Sequence, residues 1–489
     1  MVRIVGKAGF RRAALGAGLT AALIAAAGAG AAQQVVKKEY ENGGIYEGTF
    51  KDGKQHGQGT FRLPNGFEYT GDWVAGEILG QGTAKYPNGS VYVGQFAKGK
   101  PHGKGKITYA DGGSYDGDWV DGEIQGQGTA NYANGTSYTG GFVKALHHGK
   151  GVMTSAEGYK YDGDWVMGVK EGRGRITYPD GSVYEGAMIR GQRAGLGKLT
   201  LPGGLVYEGT WQDGLIAGKG KLTQPGGDTY EGDFAAGKRN GQGRASYANG
   251  DVYEGGFKDD QRNGKGRFTG KDGYAFDGDW VMGQIEGQGK VTYPDGSVYE
   301  GQFKANQSHG RGKITYKDGS TYEGDWKDGV IDGTGTARYA TGMVYEGQFK
   351  AGKNEGKGKM TYPDGYVYDG DWKAGQREGK GIATYPDGTV YTGGFRAGLR
   401  EGEGEIVMSD GFRYKGGWKA GEIDGIGIAT YPNGDVYEGA FKAGRRQGEG
   451  TLRYKSGEVA TGTWDENTLT LPAPAPEGAA APATTTDGN

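Results

Sequence analysis

The chain has 489 residues, with 106 Gly, 33 Tyr, no Cys and a formal net charge of −2. The absence of cysteine excludes disulfides, thiolate metal sites and a lipoprotein cysteine. The weak acidity argues against a nucleic-acid partner, whose affinity rests on Lys and Arg neutralising phosphates.

In chain order, residues 1–12 are basic, with Arg3, Lys7, Arg11 and Arg12, and residues 13–32 are an uncharged Ala/Gly-rich run. A charged start, an apolar middle and a small-residue end predict a secretory signal peptide over 1–32, cleaved near Ala32. Arg11-Arg12 before a weakly apolar run also fits twin-arginine export, with Sec the ordinary route. Left uncleaved, the run is just long enough to serve as a membrane anchor, though its Ala and Gly give little insertion energy. The expected location is the periplasm or cell envelope. Residues 33–45 read as an N-terminal cap or linker.

From Tyr46 the chain is periodic. A Tyr-Glu-Gly-x-(Trp/Phe) motif begins at Tyr46, Tyr69 and Tyr92 and recurs every 23 residues to Tyr437, eighteen copies without insertion or deletion. A remnant follows over 460–464. A fixed period of this size predicts a quasi-one-dimensional stack in which each unit sits on its neighbour in the same way.

Each repeat holds two joints. Pro-Asp-Gly or Pro-Asn-Gly recurs at Pro64, Pro87, Pro179, Pro363, Pro386 and Pro432. There Pro presets φ, Asp or Asn bonds back to the backbone, and Gly takes the left-handed position. The other joint, as at Lys51-Asp52-Gly53-Lys54, is looser in sequence. Two joints per repeat leave two short strands, some thirty-six in all, in an array about 170 Å long before twist.

Counting the motif Tyr as position 1, positions 1, 3 and 5 are Tyr, Gly and Trp/Phe, and positions 14, 16 and 18 are Gly, an apolar residue and often Tyr. Positions 2 and 4, and 15 and 17, are polar. This period-two alternation predicts one aromatic and one polar face. The glycines either let rings lie over bare backbone or supply φ > 0 or a bulge.

Position 5 alternates, as Phe50, Trp73, Phe96 and Trp119, while position 16 is Ala in many Trp repeats (Ala84, Ala130, Ala337) and larger in Phe repeats (Phe61, Ile107, Ile314). Such compensation predicts that positions 5 and 16 touch and that the structural period is 46 residues. Phe234 and Phe257 are consecutive at position 5, so the alternation slips there and marks a seam, with or without a bend, or a duplication scar.

Tyr322-Glu-Gly-Asp-Trp-Lys-Asp-Gly through Gly333-Thr-Gly335 to Tyr339 resembles the membrane occupation and recognition nexus (MORN) repeat. The resemblance covers 46–464 and is of a bacterial type with an N-terminal export signal. It implies an all-β fold, an elongated single-sheet solenoid of about eighteen consecutive 23-residue β-hairpin repeats. It also implies a scaffold or interaction module, with protein partners, homo-oligomers and a disputed affinity for lipid. Met188 in place of the position-5 aromatic and Phe276 in place of Tyr are departures. The Pro-, Ala- and Thr-rich segment 465–489 is expected to be disordered.

No catalytic set, cofactor or metal site is nominated. His56, His102, His148 and His309 share position 11, and His147 precedes one of them. Copies two repeats apart would stand roughly 20 Å from each other, too far to share a metal. They read as solvated turn residues. Gly57-Gln-Gly59 has no helix to make it a phosphate loop. The Asp-Gly turns lack a calcium cage. The Glu300, Glu323 and Glu346 row reads as a charge strip rather than a glycosidase pair.

The candidate interaction face is the aromatic row, Trp73, Trp119, Trp165, Trp211, Trp280, Trp326, Trp372 and Trp418 with Tyr322 and Tyr345. It would either take a lipid or glycan or pack on itself between repeats. A second row alternates basic loops (Lys100, Lys238-Arg239, Arg262, Arg445-Arg446) with acidic ones (Glu77, Glu123, Asp332, Glu422, Asp424). It would either register two antiparallel copies or be solvated loops. The function expected is a non-catalytic structural scaffold or protein-interaction platform of the cell envelope.

Overall fold

The computed structural model describes residues 34–470. Among these there are 39 strands and no helix. The chain divides into two compact units, one ending at Ala248 and the other beginning at Asn249. The boundary falls between β19 (Lys238–Ser246) and β20 (Val252–Lys258). It therefore lies between Phe234 and Phe257, where the sequence alternation slips. The expected signal peptide and the tail beyond Thr470 lie outside the described residues.

Within each unit, consecutive strands pair antiparallel into an open sheet of hairpins. The first repeat shows the plan. β2 (Ile45–Lys51) and β3 (Lys54–Arg62) form its hairpin, and β4 (Glu68–Val74) opens the next. The Pro joint folds as expected. Gly66 N–H donates to the Leu63 carbonyl at 3.1 Å, the Asn65 side chain accepts from Phe67 N–H at 3.0 Å, and Gly66 has φ +91°.

The joint that reads as looser is the tighter one. Two residues, Asp52 (φ +52°) and Gly53 (φ +73°), separate β2 from β3. Positive φ at both central residues is the type I′ geometry, whose twist matches the flanking strands. The second strand consequently begins at position 9, earlier than the alternation implies.

The hairpin carries a bulge. Gly48 pairs with Gly59 and Phe50 with Gln55, so Thr49 alone faces His56, Gly57 and Gln58. Gly57 takes φ +77° there. The two readings of the glycines therefore both hold, at different positions. Positions 3 and 14 lie under rings, and position 12 turns the bulge.

The strands beyond the expected thirty-six are at the ends. β1 (Val36–Glu39) pairs with β2. At the other end, β37 (Arg445–Arg453) pairs with β38 (Val459–Asp465), and β38 with β39 (Thr468–Thr470). Pairing thus runs past Trp464, where the sequence reading ended the array, and the first residues of the segment expected to be disordered are strand.

Candidate interaction surfaces

Position 1 makes the core of each repeat. The Tyr46 ring lies across Gly48 and Gly59, so close that a Cβ built on either would come within 2.4 Å of its hydroxyl. That hydroxyl donates to the Thr49 carbonyl at 3.0 Å. Tyr46 is fully buried, and burial pushes its pKa up to about 12. Each such ring contributes about 2–3 kcal/mol by leaving water.

Position 5 links repeats. Trp73 stands edge-on to Tyr46 of the preceding repeat at 5.1 Å and to its own Tyr69 at 5.6 Å. Its Nε1–H donates to the Gly59 carbonyl of the preceding repeat at 3.2 Å. Tyr69 meets Phe96 at 5.0 Å, and Tyr92 meets Trp119 at 5.1 Å. Edge-to-face pairs of this kind add about 0.5–1.5 kcal/mol each beyond burial.

The row expected as a binding face is therefore interior. Trp73, Trp119, Trp165, Trp211, Trp280, Trp326, Trp372 and Trp418 are all buried, the most open being Trp326 at 8 % exposure, and Tyr322 and Tyr345 are closed at 1 % and 0 %. The indole N–H groups of Trp326 and Trp372 are spent on Gly312 and Gly358 carbonyls. The rings pack on themselves because each position-1 ring lies over the bare glycines of its own hairpin and meets the position-5 ring of the next repeat edge-on. The expected contact between positions 5 and 16 also crosses repeats. Phe61 meets Trp73 of the next repeat edge-on, ring centroids 6.1 Å apart.

The polar face has its own cross-repeat lattice. Asp118 accepts from its own bulge at Gln127 N–H (2.8 Å) and pairs with Lys104 of the preceding repeat at 2.6 Å. The Lys104 ammonium, with that N–H behind it, holds the Asp118 carboxyl below its ordinary range. Lys150–Asp164, Lys219–Asp233, Lys265–Asp279 and Lys357–Asp371 repeat the pair at 2.5–2.7 Å. In three repeats a glutamine takes over the bulge: Gln95, Gln302 and Gln348 accept from the N–H groups of Lys104, Arg311 and Lys357 at 3.1–3.2 Å.

This plan, Tyr over two glycines with the next aromatic locked onto the second, recurs in register with a family profile. The MORN repeat profile matches eighteen consecutive segments, from 46–67 to 437–459. The chain belongs to the MORN repeat family. No curated protein matches it.

Solved structures similar to this MORN array include the TCP domain of Drosophila melanogaster SAS-4 in complex with a proline-rich motif of Ana2. That match has 13 % identity and a TM-score of 0.20, covering 41 % of this chain and 90 % of the other. The TCP10 domain of Danio rerio CPAP with a STIL peptide matches at 14 % identity and a TM-score of 0.15, covering 54 % and 92 %. A streptogramin B lyase matches at 12 % and 0.11, covering 54 % and 81 %.

Two further rows of the MORN array were not legible as what they are. Position 10 holds much of the basic row. Arg446 of that row does not project from a loop but lies on the indole of the next repeat's Trp464 at 4.2 Å, and Arg193 and Arg400, at the same position, lie on Trp211 and Trp418 at 4.2–4.3 Å. Arg400 also donates to the Gly421 turn carbonyl at 2.9 Å. Arg262 lies 4.9 Å from Trp280. These cations are clamps between repeats, committed to rings and turn carbonyls. His147 holds the same position and lies 4.9 Å from Trp165. It also stacks on Tyr138 at 3.7 Å, and its Nε2 is 2.8 Å from the Tyr132 hydroxyl. Burial pushes its pKa down to about 4.

Position 11 is a second clamp, in strand rather than turn. Glu355, Glu378 and Glu401 accept from the turn N–H of Ala374, Ala397 and Ala420 in the following repeats at 2.8–3.0 Å. His102 Nδ1 takes the same role with Asp121 N–H at 3.4 Å, and His148 Nδ1 with Met167 N–H at 3.5 Å. The signal in the sequence was the recurrence of acceptor-bearing residues, His, Asn, Asp, Glu and Gln, at one position. Among the described residues, no group of three or more His, Cys, Asp or Glu is placed to hold a metal.

Proposed function

We propose that this MORN protein is a non-catalytic scaffold and protein-interaction platform of the cell envelope, exported by its basic, Ala/Gly-rich leader and assembling with protein partners, including copies of itself. The observation that supports this most is how the rings are used. The aromatic side chains bind the adjacent repeat, leaving each unit to present the same polar face and two tight turns to its surroundings. A surface that recurs in register offers many equivalent contacts, which suits an extended protein partner better than one small molecule. A lipid or glycan reading would need the indoles, and Trp326, the most open of the eight nominated, exposes only 8 % of its surface.

In-cell proximity labelling, with the N-terminus of the processed chain sequenced, tests the reading. The expected result is envelope proteins among the labelled partners and cleavage near Ala32. Labelling confined to cytoplasmic proteins, with residues 1–32 retained, would overturn it.

A further inference from the structure

The two ends of the array are incomplete in complementary ways. In the repeat register, β1 corresponds to positions 14–17, since Val36 pairs with Gly48 as Gly59 pairs with Gly71. At the other end, β38 corresponds to positions 0–6 and β39 to positions 9–11. β39 pairs only with Thr463, Trp464 and Asp465. Among the described residues, nothing pairs the edge of β38 over Val459–Gly462 or the outer edge of β1. The segment missing at the C-terminal end, positions 14–17, is the segment present at the N-terminal end.

Side chains agree with this match. In all eighteen full repeats position 14 is Gly, and a Cβ there would collide with the position-1 ring, as at Gly450, 2.1 Å from the Tyr437 hydroxyl. Repeat zero instead carries Val36 at position 14. A strand added to the outer edge of β1 must therefore lack a ring at position 1. Every first strand of the array has Tyr or Phe there except β38, which has Ala460. The Tyr-to-Ala change at one end makes room for the Gly-to-Val change at the other.

The chain's own continuation is poorly suited to the slot. Residues 473–476, which hold positions 14–17 after β38, read Ala-Pro-Ala-Pro. In full repeats position 18 donates to the following strand (Tyr86 N–H to the Ser90 carbonyl, 2.8 Å). N–H groups alternate along a strand, so positions 15 and 17 face back to the first strand of their own hairpin. Pro474 and Pro476 lack those two donors. Lys37 and Glu39 of β1 supply both.

We propose that copies of this chain join head to tail, β1 of one copy adding antiparallel to the open edge of β38 of the next, Val36 opposite Gly462 and Lys38 opposite Ala460, to complete one repeat from two chains. The contact is heterologous and leaves a free end on each side, so it propagates into linear assemblies rather than a closed dimer. It deepens the interaction-platform reading by naming one partner and its seat.

The test uses single-cysteine chains, since the protein has no Cys of its own. Val36→Cys and Gly462→Cys chains are mixed under oxidising conditions, and sedimentation of the unmodified protein is followed with concentration. The account expects a disulfide-linked heterodimer only in the mixture, and concentration-dependent oligomers. Ala460→Tyr should restore a ring over position 14 and weaken assembly at least tenfold, and adding Val36→Gly should restore it. A strictly monomeric protein, no mixed disulfide, or assembly unchanged by Ala460→Tyr would overturn the proposal. So would slow amide exchange at Val459–Gly462 in a monomer, which would mean the chain closes its own edge. A monomer that still labels envelope partners in cells would leave the platform reading standing and remove only this one.

Discussion

The indole of Trp73 meets the ring of Tyr46 edge-on at 5.1 Å, while its N–H reaches past that ring to the Gly59 carbonyl. One side chain thus joins two hairpins by a ring contact and a hydrogen bond. Removing it should loosen the joint rather than one repeat. Trp372 makes the same pair of contacts with Tyr345 (5.3 Å) and Gly358 (2.8 Å). Trp372→Ala should cost about 3–5 kcal/mol of local stability. Hydrogen exchange should show faster opening on both sides of the joint.

The bare backbone beneath the rings is equally demanding. A Cβ on Gly335 would come 2.5 Å from Tyr322 Cε2. Gly335 is not in a left-handed conformation, so Gly335→Ala isolates the steric term. It should destabilise by about 1–3 kcal/mol. Urea midpoints of the variant and the unmodified protein measure it.

The two-residue turn leads to the opposite prediction. Position 8 is usually Gly, but Ala145 sits there with φ +62°, after Lys144 at φ +50°. A left-handed alanine costs about 1–2 kcal/mol. Ala145→Gly should recover part of this and raise the urea midpoint. No change, or a fall, would mean that the turn is not strained.

His147 gives the fold a pH dependence. Its ordinary value of 6.5 falls to about 4 in its stack between Tyr138 and Trp165. Between these values the unfolded chain binds a proton that the folded chain refuses. Stability is therefore lost as pH falls from about 6.5 to about 4. His147→Gln has no such proton to bind. Urea midpoints over that range should fall less steeply for the variant.

The position-11 clamp is testable one bond at a time. Glu378 accepts from Ala397 N–H at 3.0 Å across the repeat boundary. Glu378→Ala should cost about 0.5–1.5 kcal/mol. It should also speed amide exchange at Ala397 while leaving the amides of the 322–344 repeat unchanged.

Much of this was legible in the sequence, and the reason is local. Pro64-Asn65-Gly66 carries its turn in three adjacent residues, and Tyr46-x-Gly48 carries its face in two. What was not legible depends on how one hairpin registers on the next. Arg446 reads as a loop cation until the strand places it over Trp464. His102 reads as a solvated turn residue until the next turn presents Asp121 N–H. The bulge at Gly57 shifts the register within the hairpin, and period-two alternation cannot show it. The eight indoles illustrate the same limit. Spacing places them in one row, but their neighbours decide whether that row is open.

The central claim is that hairpins stack through one joint repeated every 23 residues, with rings locked between neighbours. Deletion of residues 299–344, two whole repeats in register with the alternation, tests it most directly against deletion of 322–332, half of one repeat. The account predicts that the first variant keeps the far-ultraviolet dichroism of a β protein and a melting temperature within a few degrees of the full chain. The second should lose cooperative melting around the cut. Equal damage from the two deletions, or a dichroism spectrum dominated by helix, would contradict it.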